Sequence, residues 1–161
     1  MKLFKIVVLL VATMLAMPAL AADKGADKGQ ANMDILRDKI KADKKLVVAG
    51  NMQLTDAEAK GFWPIYDAYQ KDLGAINDRI LKTVAAYADA YNKGPVPNDV
   101  AMKLLNEAIA IEDDEVKLKR AYIPKLEKVI PGNKVARYMQ IENKIRALVR
   151  MELAANIPLT Y

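Results

Sequence analysis

The sequence predicts an all-α fold: a long antiparallel helical hairpin with a shorter helix before it and another after it. Three observations predict it. Apolar residues recur every three or four positions through most of the chain, the period of a helix face buried against another helix. The punctuation between the periodic stretches is that of helix ends: a capping box, Gly-Pro and Pro-Gly breaks, and Asn beside Gly. No stretch alternates apolar and polar residues as a half-buried strand would.

Taken in order, Met1 to Lys5 carries two lysines, Ile6 to Met17 is apolar, and Pro18-Ala19-Leu20-Ala21 follows. That is the order of a secretory signal: positive start, apolar run, small-x-small cleavage site. The apolar run is about a dozen residues where a membrane-spanning helix needs roughly 20, so cleavage after Ala21 is expected, with the mature protein in the periplasm. Residues 22–32 are polar, with two glycines and no apolar period, and read as a flexible leader. Residues 33–161 are expected to form one helical domain.

The first helix is expected over 33–49, with Ile35, Leu36, Ile40, Leu46 and Val47 as its apolar set, and with Gly50-Asn51 ending it. Leu54-Thr55-Asp56-Ala57-Glu58 opens the second. Thr55 stands at the N-cap and Glu58 at the third helical position, a capping box. The periodic face then runs Phe62, Tyr66, Tyr69, Leu73, Ile76, Ile80, Val84, Tyr87, Tyr91, a seam roughly 55 Å long that needs a partner of similar length. The partner follows Lys93-Gly94-Pro95-Val96-Pro97. Asn98 is its expected N-cap, and Leu104, Ala108, Ile111, Leu118, Tyr122, Leu126 and Val129 are its face. A last helix is expected from Asn133, and the apolar tail after Asn156 is expected to pack back on the bundle. Pro64 and Pro124 interrupt the two long helices. Each removes a backbone hydrogen bond and should kink its helix or end it. Folded at Pro95, the two fall at nearly the same height, which would bend both arms together.

Composition excludes much chemistry. The chain has no His, Cys or Ser, so serine and cysteine nucleophiles, imidazole bases and His- or Cys-built zinc sites are excluded. Beyond residue 21 the aliphatic hydroxyls are Thr55, Thr83 and Thr160. Lys and Arg number 25 against 20 Asp and Glu; without Lys2 and Lys5 the balance is 23 to 20, too mild to demand a polyanion. Carboxylate, Lys or Tyr chemistry remains open, and a carboxylate enzyme or metal binder built on Glu112 and Glu115 is the third reading. No catalytic centre is evident, so no cofactor, metal or catalytic residue is expected and the protein is not read as an enzyme. Export argues against a nucleic-acid partner.

Three features remain. Glu107, Glu112, Asp113, Asp114 and Glu115 form an acidic cluster, read as a solvated face near a helix start rather than a carboxylate site, because bundle metal centres pair Glu with His. Lys117, Arg120, Lys125, Lys128 and Arg137, with Lys119 and Lys134 among them, form a basic run. It is either a solvated face or a patch for acidic segments or anionic lipid. Phe62, Trp63, Tyr66 and Tyr69 crowd the start of the second helix. Trp63 lies about 100° around from Phe62. Trp63 and Tyr66 are either core or part of a surface that accepts apolar segments. Met52, Met102, Met139 and Met151 fill gaps in the core or soften such a surface.

Several of these features together, Leu54-Thr55-Asp56-Ala57-Glu58, then Phe62-Trp63-Pro64-Ile65-Tyr66-Asp67-Ala68-Tyr69-Gln70, then Lys134 to Asn143 (KVARYMQIEN) and the ending Leu153-Ala154-Ala155-Asn156-Ile157-Pro158-Leu159, resemble a group of small secreted helical proteins of proteobacteria that carries no established activity. More distantly, the layout resembles the Spy/CpxP-type periplasmic chaperones, whose hallmark is Leu-Thr-x-x-Gln at helix starts. Here Glu58 replaces the Gln, and Val96-Pro97-Asn98-Asp99-Val100 stands where a second copy would open the third helix. The resemblance implies an all-helical, ATP-independent protein that holds unfolded or envelope clients, with a homodimer among its known forms. The alternative is an adaptor docking on one envelope partner. Contact with a membrane surface is open to either.

Overall fold

The computed structural model describes residues 41–160. The expected export signal (1–21), the leader (22–32) and the first turns of the N-terminal helix (33–40) lie outside the described residues. Among the described residues every regular element is a helix: α1 (residues 41–52), α2 (Asp56–Tyr91), α3 (Asn98–Glu127) and α4 (Gly132–Asn156). No described helix is long and apolar enough to cross a membrane. The chain divides into two compact units, one of residues 54–139 with 157–160, the other of residues 41–53 with 140–156.

The first unit is the hairpin. At its start Thr55 caps α2: the Glu58 backbone N–H donates to Thr55 Oγ1 (3.3 Å), and the Thr55 N–H donates to Glu58 Oε2 (2.7 Å). Successive tie points fix the direction of the arms. Gly61 lies against Val129, Asp72 accepts from Tyr122, and Arg79 reaches Asp114 and Glu107. Partner numbers fall as α2 advances, so the arms are antiparallel. On that register Pro64 and Pro124 stand within about one turn of each other. Both helices continue through their prolines, so neither proline ends a helix.

The two seams have the same rhythm. From Phe62 to Tyr91 the steps are 4, 3, 4, 3, 4, 4, 3 and 4 residues. On α3 the steps from Leu104 through Ala108, Ile111, Glu115, Leu118, Tyr122 and Leu126 to Val129 are 4, 3, 4, 3, 4, 4 and 3. Both average close to the 3.6 residues of an α-helical turn, so the arms stay in register without the supercoil that a strict seven-residue repeat imposes.

Burial along the seam is uneven. Phe62, Tyr66, Tyr69, Leu73 and Ile76 on α2 are buried, as are Ile111, Tyr122 and Leu126 on α3 and Ile130 beyond it. The first turns of α4 add buried Val135 and Tyr138. Toward the turn at 92–97, Ile80, Val84, Tyr87, Tyr91 and Leu104 are half-buried, and Ala108, expected in the seam, is exposed. The deep half of the unit has three helices; the half near the turn has two arms, and a small side chain such as Ala108 does not close the gap between them. The tail touches α2 where Tyr87 Oη donates to Pro158 O (2.9 Å), but Leu159 is exposed.

Two boundaries differ from expectation. Asn98 is the first residue of α3 rather than its cap. Pro97 holds that place, and no side chain caps the helix. In the second unit, α1 runs past Gly50 to residue 52. Val48 and Met52 are both fully buried and one helical turn apart, so burying Met52 carries the helix through the glycine. The left-handed residue that ends it is Gln53 (φ 50°), while the Asn51 amide donates to Val47 O (2.8 Å). This unit also buries an ion pair: Lys44 Nζ sits 2.7 Å from Glu142 Oε2. Burial pulls the Lys44 amine below its usual range, against the opposing pull of the Glu142 carboxylate.

Candidate partner-binding surface

The aromatic residues at the start of α2 are the core of the hairpin unit. The Tyr138 ring stands edge-on to Phe62 at 5.1 Å and to Tyr69 at 6.0 Å, and Tyr69 meets Tyr122 edge-on at 5.3 Å. Edge-to-face packing suits ring quadrupoles and leaves each phenol a direction for its hydroxyl. Gln70 Nε2 donates to Tyr138 Oη (3.2 Å), and Tyr122 Oη donates to Asp72 Oδ2 (2.6 Å). Burial, with the Asp72 carboxylate reinforcing it, pushes the Tyr122 phenol up to about 12. Tyr66 is buried in this cluster and has no face to offer a partner. Trp63 is half-buried, edge-on to Phe62 (5.0 Å) and Tyr66 (5.3 Å), so its remaining edge is the part of the cluster open to solvent.

The acidic cluster is not one solvated face. Glu107 and Asp114 are taken up by Arg79, through Nε at 2.9 Å and Nη1 at 2.6 Å. The Arg79 hydrogen bond, and after it that of Lys117, hold Asp114 below the usual carboxylate range. Glu115 is buried, because it occupies a seam position between Ile111 and Leu118; the expectation of a solvated acid fails there. Glu112 and Asp113 remain exposed. No group of three potential ligands able to hold a metal occurs among the described residues.

The basic run separates into different roles. Lys134 is half-buried on Glu58 (2.6 Å) and ties the start of α4 to the α2 cap; this contact, followed by the Thr55 N–H, holds the Glu58 carboxyl below its usual range. Lys125 Nζ lies 4.0 Å from the Tyr122 ring centroid, a cation–π contact. Lys117 pairs with Asp114 at 3.0 Å. Lys117, Arg120 and Lys128 are exposed and fall within about 80° of one another around α3, forming one ridge. Arg137 is exposed on the first turns of α4.

A feature of α3 lies beyond the single seam read from the sequence. Met102, Leu105, Ile109 and Val116 are 54, 50, 51 and 49% exposed. Their steps of 3, 4 and 7 residues place them on one stripe, well over 100° from the buried seam and beside the basic ridge. Exposed Glu112 and Asp113 interrupt the stripe between Ile109 and Val116, so Met102, Leu105 and Ile109 form its continuous part, an uncovered aliphatic surface of the kind that meets partners. The signal was present in the sequence as a second 3-4-7 series interleaved with the first. Met102 and Met151 are exposed, whereas Met52 is fully buried.

The fold and this surface define an all-α protein with a two-faced α3. Comparison with family models, curated proteins and solved structures finds no match to the chain.

Proposed function

We propose that the protein is an exported, ATP-independent, chaperone-like binder that holds unfolded or envelope protein clients on the outer face of α3, in the manner of the Spy/CpxP-type chaperones. The observation that carries this reading is the half-exposed stripe Met102, Leu105, Ile109, Val116 beside the ridge Lys117, Arg120, Lys128. Aliphatic side chains next to cations suit an unfolded chain, which presents apolar residues and carboxylates at close intervals and in no fixed order. The half-exposed edge of Trp63 adds a second apolar contact.

The test is suppression of aggregation. Mature protein at substoichiometric ratio should reduce light scattering by a chemically denatured client, and Leu105→Asp with Ile109→Asp should remove the effect while helix content stays unchanged. No suppression at tenfold excess overturns the proposal. The regular 3-4-7 spacing also suits a single helical partner, as in an adaptor. One stoichiometric partner recovered from envelope extracts, lost with the same double variant, would favour that second reading.

A further inference from the structure

Between the two arms, on a side of the hairpin away from the aliphatic stripe, lies an open groove of about 630 Å³. Lys82 and Ala86 line it from α2 and Lys103 and Leu104 from α3, and the Arg79–Glu107 ion pair is part of the same lining. Both lysines are exposed, and neither has an acidic partner within ion-pair distance among the described residues. Arg79, in the same lining, is already occupied by Glu107 and Asp114. One amine from each arm, neither in an ion pair, therefore borders the same groove.

We infer that this groove binds a single-chain anionic amphiphile, a fatty carboxylate, with its headgroup between Lys82 and Lys103 and its alkyl chain along Ala86 and Leu104. An anion placed there can accept charge-assisted hydrogen bonds from these amines. The lining also argues against a peptide strand. Thr83 spends its hydroxyl on Arg79 O (2.9 Å), which leaves Asn106 as the one amide side chain able to pair with a peptide backbone. Backbone N–H and C=O groups laid along the groove would go largely unsatisfied, whereas an alkyl chain has none to satisfy. The volume falls within the range of small-molecule sites.

The experiment is calorimetric titration of the mature chain with dodecanoate below its micelle concentration. One saturable site per chain is expected. Dodecanol, which keeps the tail and loses the charge, should bind about tenfold more weakly or worse, and acetate not at all. Lys82→Gln with Lys103→Gln should weaken dodecanoate by about tenfold or more, and Lys71→Gln, on the same helix outside the groove, should leave it unchanged. Ala86→Asp, which puts a carboxylate in the lining, should abolish binding. Far-UV circular dichroism checks that each variant stays helical. Absence of a saturable site overturns the inference. So does dodecanoate affinity unchanged in the double lysine variant. An acidic, leucine-rich peptide that binds through these lysines while dodecanoate does not would overturn it too.

Discussion

Gly61 and Gly74 lie on the same helix, and the structure assigns opposite signs to the same substitution at the two sites. A Cβ at Gly61 would meet Val129 Cβ at 2.8 Å and Cγ1 at 2.9 Å; at Gly74 it would meet nothing within 4 Å. Ala is favoured over Gly inside a helix by about 0.8–1 kcal/mol, and that gain is common to both sites. At Gly61 it is opposed by overpacking, about 1–3 kcal/mol. The nearest atom is the Val129 Cβ, which no rotamer change moves, so relief requires the backbone to shift. Gly74→Ala should therefore stabilise by up to about 1 kcal/mol, and Gly61→Ala should be neutral to about 2 kcal/mol destabilising. The difference between the two variants isolates the overpacking alone. Urea unfolding followed by circular dichroism at 222 nm reads it directly. In thermal melts each kcal/mol should appear as about 3–5 °C for a chain of this size. In a Val129→Gly background both clashing carbons are gone, and Gly61→Ala should then behave like Gly74→Ala, a coupling typical of residues in contact. If Gly61→Ala stabilises the wild-type background as much as Gly74→Ala does, the close approach of the two arms at this point is wrong.

Three further outcomes follow from the polar contacts. Tyr122 should ionise near pH 12, as a late rise in absorbance at 295 nm that Tyr122→Phe removes. Because its folded value is raised, the stability it contributes is complete below the ordinary phenol range near pH 10 and is lost as pH climbs through about 12. Glu58 is held low, so its contribution is present above the ordinary carboxylate range and disappears as acid protonates it. Glu58→Gln should thus be less stable than wild type at pH 7, and the gap should close as pH falls well below 4. In the second unit, Lys44→Met leaves Glu142 buried opposite a thioether and should cost about 3 kcal/mol. Lys44→Met with Glu142→Met, which removes both charges, should recover most of that in the same urea assay.

Much of the fold was legible because it rests on local chemistry. Thr55 and Glu58 announce the start of α2 without tertiary help, and the seam from Phe62 to Tyr91 states its period directly. What was not legible depended on neighbours. Gly50 carries a local stop signal, but Met52 two residues later is buried, and its packing outweighs the glycine. Glu115 looks like one more acid in a solvated run until its place in the 4-3-4-3 rhythm is counted. Of the residues singled out for binding, Lys117, Arg120 and Lys128 share one ridge. Tyr66 is buried instead, because the ring of Tyr138, far along the chain, closes over that face of α2. The aliphatic stripe of α3 escaped notice because each member also fits a generic apolar helix. Its meaning lies in being left uncovered, which only the packed structure reveals.

The matched rhythm of the two seams has a consequence for how the hairpin can vary. Along α2 an Asp with a Lys four residues later recurs every eleven residues in the sequence, at Asp56 and Lys60, Asp67 and Lys71, and Asp78 and Lys82, and Asp89 and Lys93 carry the spacing into the turn. Eleven residues are almost three whole turns, so each copy returns to nearly the same angle. On α3 the same interval links Leu104, Glu115 and Leu126. Removing one such block from each arm would shorten the rod by roughly 16 Å while leaving the remaining side chains facing as before. Reach, in this architecture, is a quantity that changes in steps.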